Sequence, residues 1–401
     1  MTPGASGRMR GVASGIAWRL PGVDNVGCLV AALVVLGLTA WPFVTFRANR
    51  IVAGHGLRLG DVFTGWQAGV LYAIGTASAG FAMLRLRPGW RFGVGVLLLG
   101  ALAVLLGYVP GQCVGADTPL ARVAPAGGAW TLAFAYAVLV TDAAAKGSIG
   151  PLGRLGALVF ALAALAALCH YGWWDGLSVM QEYAARADSF WQEAARHVAL
   201  VAGAVGLALV VGLPLGIACA QAAALRATIL PALNIVQTIP SIALYGLLMV
   251  PLGLLAAHVP LAASLGIRGI GTAPALAALF VYSLLPVVSS IVAGLRQIPA
   301  QVAEAAAAMG MTRVQRLVQV ELPLALPVIL TGVRIVLVQD VGLAAVAALI
   351  GGGGFGTFIF QGIGQSATDL VLLGAIPTIV LAFLGAAAFD AVAALARRDR
   401  A

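Results

Sequence analysis

The sequence predicts an all-α membrane protein that crosses the bilayer about ten times. Three observations carry that prediction. Hydrophobic residues make up 61% of the chain and charged residues only 9%. A soluble domain carries about 25% charged residues, so this chain lacks the charge to cover itself against water. Apolar runs approaching the roughly 20 residues that span a bilayer recur along its length. Arginines stand one to three at a time between those runs, a pattern that orients a chain in a membrane rather than gripping nucleic-acid phosphates.

The elements follow in order. The first expected span lies near 28–46, after Arg8, Arg10 and Arg19. It is long and lacks a small-residue cleavage pattern, so it reads as a retained span and not as a signal peptide. The next four lie near 66–84, 92–110, 128–142 and 153–174, the one at 128–142 short. A polar stretch, DGLSVMQEYAARADSFWQEAARH at 175–197, then interrupts the pattern. The domain boundary is expected there, with an N-terminal part over 1–175 and a second part over 176–401. The second part holds five expected spans, near 197–220, 229–257, 272–295, 322–350 and 370–396.

Charge sets the expected orientation. With the N-terminus in the cytoplasm and ten alternating spans, fifteen Lys and Arg fall in inside segments and seven in outside segments, with Arg334 inside a span. That bias follows the positive-inside rule. It puts both termini and the segment 304–323, EAAAAMGMTRVQRLVQVELP, in the cytoplasm.

This segment is amphipathic and capped, unlike its surroundings. Pro299 suits the first turn of a helix, and the alanine-rich run after it favours one. Gly310 can close that helix in a left-handed conformation. Thr312 and Gln315 have the spacing of a capping box for a second helix, on which Val314, Leu317 and Val318 share a face. Pro323 limits that helix or starts the next element. The expected unit is helix, glycine turn, helix, too polar to enter lipid. Physics alone leaves two readings open, a surface loop with helical content or a docking element for another protein.

The spacing of Glu304, Ala305, Ala306, Gly310, Val320, Leu322 and Pro323 resembles the EAA motif of bacterial ABC importer permeases, with Val320 in place of the more usual isoleucine. IVQTIPSIALYGLL at 235–248 and VAALIGGGGFGTFIFQGIG at 346–364 look like the permeases of the glycine betaine, carnitine and choline importers. The resemblance covers roughly 190–397. It implies a five-helix type I ABC importer permease core preceded by a multi-span extension, in the bacterial inner membrane. It implies that 299–323 is the coupling loop docking on a cytoplasmic ATPase subunit, with Glu304, Ala305, Ala306, Gly310, Thr312, Val320, Leu322 and Pro323 as its residues. It further implies a second permease copy or a sibling permease, and an extracytoplasmic substrate-binding protein that selects the substrate. ATP and Mg would be bound by the partner ATPase and no cofactor by this chain.

Polar residues inside spans are the other candidates, because charge at bilayer depth is costly and usually faces a cavity or a partner. Arg334 and Asp340 share one expected span, yet six residues place them about 240° apart around a helix. Arg334 lies near the expected cytoplasmic end, where it can snorkel; Asp340 is deeper. Gln237, Thr238, Pro240 and Ser241 form a polar, proline-broken patch, the composition of an interrupted helix lining a path or of close helix packing.

No catalytic set is visible. The run Gly351 to Gly354 lacks the Gly-Lys-Ser/Thr of a phosphate-binding loop and reads as a close-packed or flexible turn. His55, His170, His197 and His258 have no metal spacing and are expected at membrane interfaces, and most of the four cysteines, Cys28, Cys113, Cys169 and Cys219, are expected as apolar filler. The function expected is transport without ATP hydrolysis by this chain. An ion-gradient-driven secondary transporter predicts repeated halves and several buried carboxylates, and no convincing repeat is seen. An ABC permease for another small solute, or a subunit whose first five spans are the working part, also stays open.

Overall fold

The computed structural model describes residues 24–49, 52–115, 120–147 and 149–398. Arg8, Arg10, Arg19, Arg50 and Arg400, which entered the charge count, lie outside the described residues. The fold is all-α apart from short strands. Eight helices among the described residues are long and apolar enough to cross a membrane. The chain divides into two compact units, one of residues 1–46, 53–105 and 125–148, the other of residues 47–52, 106–124 and 149–401.

The first unit is built on α1 (Asn25–Thr39), α2 (Trp66–Met83), α3 (Pro88–Tyr108) and α4 (Gly127–Lys146). Asp24 caps α1 by accepting the Val26 N–H at 3.2 Å. The expected first span, 28–46, is shorter than predicted. Pro42 forces extended backbone on the residue before it, and Val44–Arg47 instead pairs antiparallel with His55–Leu57. With 15 residues α1 is about 23 Å long, short of a full crossing. Small residues let the helices meet closely: a Cβ on Gly27 would fall 1.9 Å from the Ala82 carbonyl oxygen, and one on Gly75 would fall 2.4 Å from Leu38.

Charge closes one end of this unit. Arg91, 2% exposed, pairs with Asp24 and stands 3.4 Å from Asp142. Lys146 reaches Asp24 at 2.8 Å and Asp142 at 2.9 Å. Two acids and two bases thus join the start of α1, the start of α3 and the last turns of α4. Removing one partner would leave an uncompensated buried charge, which is why such groups occur balanced.

The second unit begins with α5 (Pro151–His170), α6 (Ser178–Ala184) and α7 (Ala187–Gln221). The polar stretch at 175–197 is therefore mostly helical. Two helices, interrupted at Ala185 and Arg186, carry it, and Asp188 in the first turn of α7 favours the helix dipole. With 35 residues α7 is about 52 Å long, so part of it must project beyond a hydrocarbon core of about 30 Å. Next come α8 (Ala223–Thr238) and α9 (Ser241–His258), which divide the expected span 229–257 in two, and α10 (Thr272–Arg296). The chain continues as α11 (Ala300–Ala308), α12 (Arg313–Arg316), a π-helical turn (Leu317–Glu321) and α13 (Leu322–Val346). It ends with a 3-10 turn (Ala347–Ile350), α14 (Gly356–Gly364) and α15 (Thr368–Arg398).

Helices α7, α10 and α13 form the centre of this unit. Ala204 and Ala208 of α7, Ala275, Leu279 and Ile291 of α10, and Ala325, Val336 and Ala344 of α13 are buried in one cluster. Gly212 sits against Val287 and Gly216 against Ile291. The backbones approach because these positions carry no side chain.

Candidate functional site

Three places in the second unit hold the candidate residues. The first is the segment from 299 to 323, and its structure is locally determined. Pro299 caps α11. At its end Met311 N–H donates to the Ala306 carbonyl at 3.2 Å and Gly310 N–H to Ala307 at 3.0 Å, the bond pair of a Schellman turn. Gly310 has φ +81 and open space around it, so the conformation alone selects glycine. Thr312 and Gln315 close a reciprocal capping box: Thr312 N–H donates to the Gln315 side chain at 2.8 Å, and Gln315 N–H to the Thr312 hydroxyl at 3.3 Å.

The remaining motif residues divide by exposure. Ala306 is buried, and Val320, Leu322 and Pro323 are half-buried. Glu304 and Ala305 are exposed, and the Glu304 carboxylate has no partner among the described residues. Pro323 does not end the second helix. It enters the first turn of α13, so one helical path runs from Arg313 to Ile350. Along the segment Met309, Val314 and Val318 are 75%, 69% and 55% exposed, while Leu317 is half-buried. The arrangement presents an apolar surface on a polar, capped scaffold.

The second place is the break between α8 and α9. Pro286 in α10 has no N–H and so deprives the Tyr282 carbonyl, four residues earlier, of its helical donor. Gln237 Nε2 fills that vacancy, donating to the Tyr282 carbonyl at 2.7 Å. The Tyr282 hydroxyl donates in turn to the Ile239 carbonyl, which the interruption of α8 leaves free. Thr238 donates to its own helix, to the Ile235 carbonyl at 2.6 Å. Pro240 caps α9 and is exposed with Thr238; Ser241 is half-buried. Next to this stitching an open groove of about 550 Å³ runs between α10 and α13, lined by Pro286, Ser289, Pro327, Thr331 and Gly332 among others. Sequence reading missed the groove. Its signal is the small hydroxyl residues and prolines that these two helices carry at similar depth.

The third place is the far end of α13, where three helices hydrogen-bond three residues, Asp340, Val341 and Leu343. Asp340 is fully buried and accepts from the Ser283 hydroxyl of α10 at 2.6 Å. Tyr245 of α9 donates to the Leu343 carbonyl at 2.9 Å. Ala347, at the start of the 3-10 turn, bonds to Ala345 instead, so the tyrosine takes the place of the usual helical donor. His197 of α7 faces the Val341 carbonyl through Nε2 at 3.1 Å and receives the Phe355 N–H on Nδ1 at 3.3 Å. Those two partners assign the proton to Nε2. Arg334, by contrast, points away and pairs with Asp390 at 2.8 Å, both about two-fifths exposed. Arg334 and Asp340 are not brought together.

His197, expected at a membrane interface, is fully buried. It folds inward because the glycine loop comes to it. Gly351, Gly353 and Gly354 all have positive φ, and a Cβ on Gly354 would lie 2.9 Å from His197 Nδ1. Glu193 accepts the Gly354 N–H, and its other oxygen holds Arg196 at 3.0 Å. Glu193 and His197 are four residues apart, hence on one face of α7; that spacing was the signal in the sequence. Among the described residues no group of three or more His, Cys, Asp or Glu could hold a metal.

Comparison with known proteins places this geometry. Residues 24–180 match a family described as the N-terminal domain of the ABC transporter permease YehY. Residues 212–398 match the binding-protein-dependent transport system inner membrane component. The osmoprotectant import permease protein OsmW of Salmonella typhimurium is 42% identical over 189 residues, which are 47% of this chain and 83% of that protein. The choline transport system permease protein OpuBD of Bacillus subtilis is 37% identical over 205 residues, 51% of this chain and 84% of that one. The carnitine transport permease protein OpuCD of Listeria monocytogenes is 36% identical over 198 residues, 49% and 80% of the two chains. With a fold of membrane-spanning helices and relatives matched over most of their length, the chain belongs to the family of binding-protein-dependent transport system inner membrane components.

Proposed function

We propose that this chain is the permease subunit of an ATP-driven importer for a small osmoprotectant such as glycine betaine, choline or a related quaternary amine. The names of the relatives support that substrate class. One observation carries the mechanism: a capped helix–glycine–helix segment offers exposed Met309, Val314 and Val318 at the end of a helix whose other end lies in the core. A cytoplasmic ABC ATPase is the partner that covers this surface and binds ATP and Mg. A second copy or a sibling permease completes the translocation unit, and an extracytoplasmic binding protein delivers substrate. The region over 1–175 is an appended membrane module, and 176–401 is the transport core. The chain lies in the bacterial inner membrane with both termini in the cytoplasm.

Coupling then requires that ATP-driven closure of the ATPase pair move the segment and, through α13, the groove beside it. The two states differ in contacts at the segment, which makes the coupling allosteric. Asp340 is the pathway residue that offsets the charge of a cationic group, and Thr238 and Pro240 line the break.

Two experiments test this reading. Reporter fusions after residue 260 should read outside and fusions after 305 inside; two inside signals contradict the topology. Gly310→Val forces a β-branched residue to positive φ, a cost of more than about 1 kcal/mol. That variant should insert and pair with its permease partner. It should lose co-purification with the ATPase and lose substrate-stimulated ATP hydrolysis in liposomes. Full association with normal stimulation would leave the segment an ordinary surface loop.

A further inference from the structure

The helical path into α13 contains one turn that is not α. Over Leu317–Glu321 the backbone winds as a π-helix, and the Leu322 N–H donates to the Leu317 carbonyl five residues back. Pro323 follows directly. Its ring would press on the carbonyl four residues earlier in an α-helix, here that of Gln319, and the wider turn carries the chain past this conflict. Single π turns inside α-helices are rare and cluster at functional places. Arg316 and Glu321 bracket this one, with Arg316 Nε 2.8 Å from Glu321 Oε1 and both side chains at least two-thirds covered. On an α-helix residues five apart differ by about 140° in direction, so they face apart. A π turn bonds residue i to i+5 and brings the two over one another. The pair is matched to the π turn and not to the α-helix.

The turn also decides where the exposed apolar residues point. One residue more in a turn rotates everything before it by about 100° relative to α13. Val314 and Val318 are exposed and Leu317 is half-buried; unwinding the π turn would swing that face around the axis and leave the Schellman turn and the capping box intact. Resting on the docking reading above, we infer that Arg316 and Glu321 are positioning residues for coupling: their ion pair holds the π turn, and the π turn sets the direction in which Val314 and Val318 face the ATPase. Neither residue is among the seven whose spacing carries the permease motif.

The test uses the full chain with its ATPase and loaded binding protein in liposomes. Glu321→Gln should lower substrate-stimulated ATP hydrolysis about fivefold, the effect of a partly covered ion pair near 1 kcal/mol, with the KM for ATP unchanged. The exchanged pair, Arg316→Glu with Glu321→Arg, should restore the rate. Failure of the exchange to restore it would mean that either residue touches the ATPase itself, and would overturn the inference. A second readout needs no ATPase. With the native cysteines replaced by serine, Val314→Cys and Leu317→Cys are labelled with a maleimide in membranes. The ratio of their rates should shift about fivefold in Glu321→Gln and return in the exchanged pair. An unchanged ratio overturns the claim that the ion pair holds the turn. A shifted ratio in a chain whose wild type binds no ATPase overturns the docking reading and the coupling role with it.

Discussion

The two ends of α13 are built on opposite plans. At the end near Leu322, structure comes from neighbours in sequence: a Schellman turn, a capping box and an ion pair, all between Ala306 and Glu321 and mostly exposed. At the end near Val346, structure comes from afar. His197 reaches across 144 residues, Tyr245 across 98 and Ser283 across 57, and all three are buried. An end held by local bonds can move as a piece without disturbing the core. An end held by three other helices cannot move unless they move too. The contrast assigns mobility to one end and anchorage to the other.

The anchored end gives the largest expected effect. His197→Ala removes a buried ring and leaves the Phe355 N–H without its partner, a loss of about 3 kcal/mol. The purified variant should melt at a clearly lower temperature in detergent, with less folded protein recovered. Equal melting of variant and wild type would break the contrast, since the far end would then be no better anchored than the near one. The next effect is functional. Asp340→Asn keeps the Ser283 hydroxyl bonded to one oxygen, removes the charge and puts an amide nitrogen in place of the other oxygen, so the folded amount should hold while transport falls severalfold in an uptake assay. Wild-type uptake would make Asp340 a packing residue and remove it from the pathway. The smallest effect belongs to the local end. Thr312→Ala deletes one cap bond, about 1 kcal/mol, and should weaken ATPase co-purification without moving the melting temperature. A drop in melting temperature matching that of His197→Ala would show that the two ends are one cooperative unit.

The same contrast explains what the sequence disclosed. The capping box, the glycine at positive φ and the helix start at Pro299 were legible because each rests on residues a few positions apart. Spans were legible because lipid imposes length and apolarity on each of them separately. The shortening of α1 turned on Pro42, a local signal that the length of the apolar run outweighed. What stayed hidden was pairing between distant elements. The spacing of Glu193 and His197 marks one face of a helix, but nothing in it says that a glycine loop more than 150 residues later will fold against that face. Nothing near Gln237 says that Pro286 will free a carbonyl for it. Arg334 and Asp340 could be separated by helical angle alone, but the partner of Arg334, Asp390, lies on another helix. The π turn lay between the two kinds: its proline was visible, and its ion pair made sense only once the turn was seen.

The charge ring of the first unit has a consequence for how the chain is made. Asp24 and Asp142 are 118 residues apart, so at roughly 5–20 residues per second the ribosome needs about 6–24 s to pass from one to the other. During that interval an unmatched buried ion would be costly. The ring avoids this by arriving in two neutral halves. Asp24 meets Arg91 as soon as the third helix follows the first. Asp142 and Lys146 emerge already matched, one helical turn apart. The segment that carries Asp142 and Lys146 therefore adds no net charge to this end of the unit, and Asp24 waits for a counter-charge only over the 67 residues until Arg91 emerges.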